Sequence, residues 1–130
     1  MARLMGVDYG AKRVGVSLSD EDGRVAFPKA VIPNDKFLLS SLKELVEGHG
    51  VTEVVIGESK NNQGEDNPVA RSARSLAREL EADLGVTIHY EPEFWSSQEV
   101  RAHTGARGVD AEAATIILNS FLTKRHGTHD

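Results

Sequence analysis

Four carboxylates stand where the sequence predicts that strands end or a helix begins: Asp8, Glu58, Glu93 and Asp110. An aspartate in an apolar, strand-like run such as that around Asp8 needs a reason, because Asp has low strand propensity and burying an unpaired carboxylate costs several kcal/mol. Clusters of this kind hold two magnesium ions about 4 Å apart, which activate a water and stabilise the leaving oxygen of a phosphodiester. Convergence of the four acids would therefore predict hydrolysis of a phosphodiester.

Each acid also has a simpler interpretation. Asp8 precedes Tyr9 and Gly10, so it could start a turn by accepting hydrogen bonds from backbone amides. Asp110 could be the N-cap of the last helix, and Glu58 and Glu93 could be solvated loop residues. On the residues alone, these interpretations and the ligand interpretation both stay open.

Composition limits the kind of protein that carries these acids. The 130 residues fit one domain, predicted over residues 1–126 with a frayed tail at 127–130. The chain has no apolar run near the roughly 20 residues of a membrane span, and its first residues lack a signal-peptide layout, so we expect a cytoplasmic protein without a membrane partner. With no cysteine, the available metal ligands are oxygen and imidazole, which favours Mg²⁺ or Mn²⁺.

The elements that must position the acids follow from apolar periodicity and turn residues. Three strand-like runs come first, and then helix, strand, helix, strand and two helices. This order predicts an α/β fold with a mixed sheet, antiparallel on one side, parallel where helices cross over, and helices on both faces. The predicted strands are 4–8, 14–18, 24–32, 51–57 and 87–90, and the predicted helices start near 34, 67, 96 and 110. Pro28 would restrict the third strand to an edge or a bulge. Asn34 or Asp35 can cap the first helix, which Gly48 and Gly50 end, and the helix that starts at Ser96 stops near Gly105.

Substrate contacts must come from local positive charge, because the net charge of −5 argues against a broadly basic surface. Lys12 and Arg13 lie in the turn after Asp8, and Arg107 precedes Asp110. A further group of arginines is spaced to share the outer face of the second helix, where it could follow a phosphate backbone or simply be solvated: Arg71, Arg74 and Arg78.

Four stretches of this chain resemble the YqgF/RuvX family of Holliday junction resolvases, which are also described as nucleases of precursor small-subunit ribosomal RNA. They are GVDYGAKRVGVSLSD, VVIG with the following Asn61 and Gly64, the Ser96–Ser97 turn, and VDAEAATIILNSFL. The resemblance spans nearly the whole chain. It implies a ribonuclease-H-like, five-stranded fold and metal-dependent nuclease activity, and by position it assigns the family's acids to Asp8, Glu93 and Asp110.

Two departures from the family pattern change the expected site. Where the family usually reads Gly-Leu-Pro, this chain has Glu58 after Gly57, and where it usually reads Asp-Glu-Arg, Phe94 replaces an arginine that could hold a phosphate bidentately. Classical resolvases of the same fold are similar in carrying a glutamate after the fourth strand. We therefore predict that Glu58 binds metal with Asp8 and Asp110, supplementing or replacing Glu93.

Two other functions stay open at this point. The first hairpin also resembles the first phosphate loop of the actin, hexokinase and heat-shock ATPase superfamily, which would make the chain a nucleotide-binding domain. The missing arginine favours a catalytically weak RNA-binding or ribosome-associated module. The sequence does not choose DNA over RNA, and cutting a two-fold symmetric junction would require a homodimer.

Overall fold

A computed structural model describes residues 3–58, 68–92 and 111–127 of the chain. These segments contain five strands and three helices, labelled here in chain order. The strands are β1 (Arg3–Tyr9), β2 (Arg13–Ser19), β3 (Ala26–Pro33), β4 (Val51–Glu58) and β5 (Thr87–Pro92). The helices are α1 (Leu38–His49), α2 (Pro68–Leu84) and α3 (Ala111–Gly127).

The five strands form one mixed sheet in the order β3-β2-β1-β4-β5. β1, β2 and β3 pair antiparallel, whereas β4 pairs parallel with both β1 and β5. The predicted mixed sheet is therefore confirmed, with β1 at its centre. The predicted short helix from Ser96 to about Gly105 lies outside the described residues.

The first hairpin turn is hydrogen-bonded to Asn34, in the segment between β3 and α1. The Gly10 amide donates to the Arg13 carbonyl at 3.0 Å and closes the turn between β1 and β2. Asn34 then holds this turn from outside, since its backbone amide donates to the Lys12 carbonyl at 2.9 Å and its side-chain amide donates to the Gly10 carbonyl at 2.7 Å. These bonds fix the turn that follows Asp8.

The edge position of β3 fits its sequence. Pro28 has no amide hydrogen to donate, so a strand that contains it is expected at an edge or a bulge. The register between β2 and β3 shifts between Val16 and Ser17, where Ala30 and Pro28 are the successive partners, and Lys29 is left unpaired. The predicted edge strand is confirmed.

The start of α1 differs from the sequence prediction, which offered Asn34 or Asp35 as its cap. The helix begins at Leu38 after an N-cap residue, Phe37, that makes no side-chain cap bond. Asp35 instead accepts a hydrogen bond from the Phe37 amide at 2.9 Å, before the helix begins, and Asn34 bonds to the hairpin turn. The helix ends as expected at Gly50, whose φ of 66° suits a residue without a side chain.

One face of the sheet packs against α1 and α2 through large apolar side chains. Strands β1, β2 and β4 alternate, so every second residue points to this face. The resulting core includes Met5, Val7, Val14, Val16, Leu18, Leu42, Val54, Ile56, Leu76 and Leu80. This is the main hydrophobic core of the described chain.

The opposite face packs against α3 through small side chains. A Cβ atom on Gly6 would lie 2.4 Å from Ser17 Oγ and 2.8 Å from both the Ala114 carbonyl oxygen and Leu118 Cβ. Ser17 is fully buried and its hydroxyl donates to the Ala114 carbonyl at 2.8 Å. Glycine at position 6 thus lets the helix backbone lie directly on β1 and β2.

The direction of α3 follows from its contacts. Its early residue Ala114 lies over Gly6, whereas its later residues Ile117, Leu118 and Leu122 form a cluster with Leu4, which precedes Gly6 in β1. The helix therefore runs antiparallel to β1, and its first turn lies toward the carboxyl end of that strand. Among the described helices, none is long and apolar enough to span a membrane.

Candidate functional site

Asp8 is a half-buried residue near the carboxyl end of the central strand. Its neighbours in sequence, Val7 and Tyr9, both pack into the core on the α1/α2 face. Because successive side chains of a strand alternate, Asp8 points to the α3 face. Asp8 thus lies on the same face as Gly6 and Ser17, toward the end of the sheet at which α3 begins.

Two glycines flank Asp8 on the neighbouring strands. Gly15 is its partner in β2. Val7 pairs with Ile56 in β4, and continuing this register by one residue places Asp8 beside Gly57. Gly57 in turn pairs with Glu91 in β5. The row on the α3 face is therefore Gly15, Asp8, Gly57 and Glu91, in which the glycines leave the flanks of Asp8 without side chains.

Glu58 points to the other face of the sheet. It follows Gly57 and alternates with it, so it shares the face of Ile56, which is part of the α1/α2 core. Glu58 also lines a small cavity of about 10 Å³ with Arg74 of α2 and Tyr90 of β5. The structure does not bring Glu58 to Asp8. Strand geometry therefore does not support the prediction that both residues bind one ion.

Tyr90 and Arg74 define the surroundings of Glu58. Burial raises the pKa of the Tyr90 hydroxyl above its usual value, and the charge of Glu58 adds a smaller effect in the same direction, while Arg74 opposes both. Glu58 thus lies at the contact between α2 and the ends of β4 and β5.

The other predicted site residues with negative charge, Glu93 and Asp110, lie outside the described residues, as do Arg107, Phe94 and the loop with Asn61 and Gly64. Their places in the chain are nevertheless informative. Asp110 immediately precedes α3, and Glu93 immediately follows β5. Each of these two predicted acids is therefore the immediate sequence neighbour of a described element, α3 or β5.

The predicted basic residues fall into two groups. Lys12 and Arg13 are exposed in and next to the hairpin turn, at the same end of the sheet as Asp8. Arg71 is exposed on α2, on the opposite face of the sheet, whereas Arg74 is half-buried next to Glu58 and Tyr90. The expectation of an outer arginine face thus holds for Arg71 and Arg78 but not for Arg74.

Within the described segments, no three His, Asp or Glu side chains converge in a way that could hold a metal ion. The donor that is described suits a hard cation, since Asp8 offers carboxylate oxygens of the kind Mg²⁺ and Mn²⁺ prefer. The neighbouring glycines leave room on either side of it. Asp8 could therefore be one ligand of a divalent ion, with further ligands required from outside these segments.

Sequence reasoning missed a buried acid in the same row. Glu91 is only 3% exposed, and its partners come from α3. The predicted strand ended at Tyr90, two residues before the actual end at Pro92. Two clues were available: Glu91 alternates with His89, and Ser120 and Lys124 are spaced i, i+4 on the last helix. Neither clue identifies the strand against which that helix packs.

A second missed cluster lies toward the amino end of β4. Arg125 of α3 donates to both oxygens of Glu53 at 2.9 and 3.2 Å, and His89 Nε2 lies 2.7 Å from Glu53 Oε1. Arg125 holds the pKa of Glu53 below its ordinary value, and Glu53 raises that of Arg125. The Phe121 ring stacks within 4.7 Å of both Arg125 and His89.

The fold of this protein is ribonuclease-H-like, as its likeness to two solved structures shows. The chain superposes on Thermus thermophilus RuvC in complex with a Holliday junction substrate with a TM-score of 0.64, at 15% identity and covering 98% of each chain. It superposes on the fowlpox virus Holliday junction resolvase with a TM-score of 0.60, at 12% identity, covering 94% of this chain and 99% of the other. At this level of identity the likeness concerns the fold, and it confirms the predicted fold class.

The sequence identifies the family within that class. Residues 2–124 match the family model described as "RuvX: Holliday junction resolvase". A protein of Anaeromyxobacter sp. (strain K), named "Putative pre-16S rRNA nuclease", is 37% identical over 134 residues, covering 95% of this chain and 98% of the other. A protein of Moorella thermoacetica with the same name is 33% identical over 133 residues, covering 94% and 95%. The chain belongs to the RuvX (YqgF) family of nucleases, as its motifs predicted.

Proposed function

We propose that this protein is a metal-dependent nuclease that hydrolyses phosphodiester bonds in structured nucleic acid, either precursor ribosomal RNA or a Holliday junction. The observation that supports this most is the course of α3. The helix lies antiparallel to β1, so its first turn lies toward the strand end that carries Asp8, and Asp110 directly precedes the helix in the sequence. The proposal is that Asp8 and Asp110 act together at this end of the sheet.

Asp8, Glu93 and Asp110 are the proposed ligands of Mg²⁺ or Mn²⁺ in a two-metal site. When bound, such ions lower the pKa of an attacking water and stabilise the charge on the leaving oxygen. Asp8 supplies oxygen donors at the centre of the row, and the adjacent glycines leave space for a phosphate. Lys12 and Arg13 lie at the same end of the sheet and supply positive charge to the phosphates that flank the scissile bond.

Cleavage of branched DNA and of structured RNA tests the proposal. With manganese, the wild-type protein should cut at least one of the two, and Asp8→Asn should lower the rate by more than about 100-fold, because changes to residues that merely support metal ligands cost about 10–100-fold. ATP-dependent thermal stabilisation without cutting would instead favour a nucleotide-binding domain. Binding without cutting or ATP stabilisation would favour an RNA-binding or ribosome-associated module.

Glu58 provides the matched control for Asp8. Both are acids near the ends of adjacent parallel strands, but they point to opposite faces of the sheet. We expect Glu58→Gln to leave manganese affinity and cleavage close to wild type, since its neighbours are Arg74 and Tyr90. A loss comparable to that of Asp8→Asn would restore Glu58 as a metal ligand and would require a local rearrangement at the end of β4.

A further inference from the structure

Glu91 is a buried carboxylate for which packing alone gives no reason. Its side chain is 4% exposed, and it points to the α3 face near the end of β5. A buried charge costs several kcal/mol of desolvation unless an opposite charge and hydrogen bonds compensate for it. Burial of the Glu91 carboxylate therefore requires partners that compensate for its lost hydration.

Both partners of Glu91 come from one side of α3. The Ser120 hydroxyl donates to Glu91 Oε2 at 2.7 Å, and Lys124 Nζ lies 2.6 Å from the same oxygen. Ser120 and Lys124 are one helical turn apart, so they face β5 together. The Lys124 side chain is 52% exposed, whereas that of Glu91 is 4% exposed. We name these three residues the Glu91 latch.

The Glu91 latch and Ser17 attach α3 to strands on either side of β1. Ser17 of β2 holds the carbonyl of Ala114 near the start of the helix, and Glu91 of β5 holds the later turns. β1, which carries Asp8, lies between β2 and β4, and β4 pairs with β5. The two contacts therefore help to hold the helix across the strand that carries Asp8.

We propose that Glu91 is a positioning residue of the nuclease site, a role that rests on the proposed function. It sets the distance between the row that contains Asp8 and the helix that starts directly after Asp110. It does so as a carboxylate engaged by the helix and enclosed by protein, and not as a ligand of the ion. Glu93 lies two residues further along the chain.

Glu53 offers a matched control on the same face of the sheet. It also forms an ion pair with the last turns of α3, through Arg125, but it lies toward the amino end of β4, away from Asp8. Glu91→Gln and Glu53→Gln each remove one strand-to-helix ion pair with little change in shape. A general loosening of α3 would affect both variants alike, whereas a positioning role would distinguish them.

Manganese-dependent thermal stabilisation measures positioning separately from turnover, because an ion that binds only the folded protein raises the melting temperature according to its affinity. We expect Glu91→Gln to raise the manganese Kd fitted to the concentration dependence of the melting temperature about 10-fold, the lower end for residues that orient metal ligands. Glu53→Gln should leave this Kd unchanged. Ser120→Ala should shift it in the same direction by less, and it serves as the test if Glu91→Gln does not fold. Lys124→Arg, which preserves the pair, should resemble wild type.

Two results would overturn the proposal while leaving the proposed function intact. One is a wild-type manganese Kd in both Glu91→Gln and Ser120→Ala, and the other is an equal increase of this Kd in Glu91→Gln and Glu53→Gln. A wild-type protein that manganese does not stabilise would overturn the metal site itself and the role of Glu91 with it. Cleavage by the same variants at saturating and at limiting manganese then separates a lower affinity from a lower maximal rate.

Discussion

The two faces of the sheet are built from different residues for different purposes. The face toward α1 and α2 is filled by branched and other large apolar side chains such as Val7, Val16 and Ile56. The face toward α3 has a smaller apolar cluster around Leu4 and Val55, and beside it lie small and polar residues, including Gly6, Ser17 and Glu91. Large apolar side chains gain stability through buried area, whereas small residues allow close backbone contact and leave room for charged groups. The chain thus separates most of its stabilising core from the face that carries Asp8.

The largest stability effect should come from the apolar face. Leu42 is fully buried in the core between α1 and the sheet. Leu42→Ala should lower the free energy of unfolding by about 2–5 kcal/mol, because it removes apolar contacts and leaves a cavity. Chemical denaturation measures the loss, and Val25→Ala, at a residue that is 58% exposed, is the control. If Leu42→Ala also lowered the cleavage rate per folded molecule by a comparable free energy, the separation of the two faces would be wrong.

Substitution of Gly6 should lower the free energy of unfolding less than Leu42→Ala does, and it should lower activity more. A methyl group there would overlap the Ala114 carbonyl and Leu118, so Gly6→Ala should cost about 1–3 kcal/mol and displace α3. Cleavage and manganese affinity should both fall. Gly48→Ala is the matched control, since a Cβ atom at Gly48 meets nothing within 4 Å. Equal behaviour of the two variants in the cleavage assay would show that close contact of α3 with β1 is unimportant.

Ser17→Ala should have a more modest effect. It removes the hydrogen bond to the Ala114 carbonyl, which is worth about 0.5–1.5 kcal/mol for a typical buried pair. Ser72, which is exposed on α2, supplies the control Ser72→Ala, for which a change within about 0.5 kcal/mol is expected. Thermal unfolding of both variants gives the comparison. A neutral Ser17→Ala would mean that the serine only fills space.

The smallest predicted effect depends on pH. Arg125, with a smaller effect from His89, lowers the pKa of Glu53 in the folded protein. The stability from this carboxylate is therefore present above its unfolded pKa of about 4.5 and is lost as the pH falls through the folded value. The difference in unfolding free energy between wild type and Glu53→Gln should be about 1 kcal/mol or less and should shrink as the pH falls below about 4.5. A difference that grew as the pH fell below about 4.5 would contradict this assignment.

The sequence predicted the architecture well because apolar periodicity is a local signal. The runs around Val7, Val16 and Val55 alternate or are continuously apolar, and Gly50 and Gly85 end helices where the chain requires positive φ. Pro28 correctly indicated an edge strand. The start of α1 was misplaced because Asn34 and Asp35 are typical cap residues, whereas in the structure Asn34 bonds to the hairpin turn and Asp35 to the Phe37 amide before the helix begins.

The site was harder to predict because it depends on which face each side chain occupies. The sequence offered Asp8 and Glu58 as equivalent acids at neighbouring strand ends. Their faces follow from a register in which Val7 pairs with Ile56, and sequence periodicity does not reveal that register. The Glu91 latch was missed for the same reason, since it requires knowing that α3 crosses β5. The predicted roles of Glu93, Asp110 and Arg107 stay predictions.

A crystal of the protein soaked in manganese tests the central claim most directly. The account predicts anomalous density for manganese coordinated directly by Asp8 on the α3 face of the sheet, near the start of α3, and its absence in Asp8→Asn. It also predicts no manganese at Glu58 on the opposite face. Density for manganese at Glu58 and none at Asp8, or a wild-type crystal without manganese at either carboxylate, would contradict it.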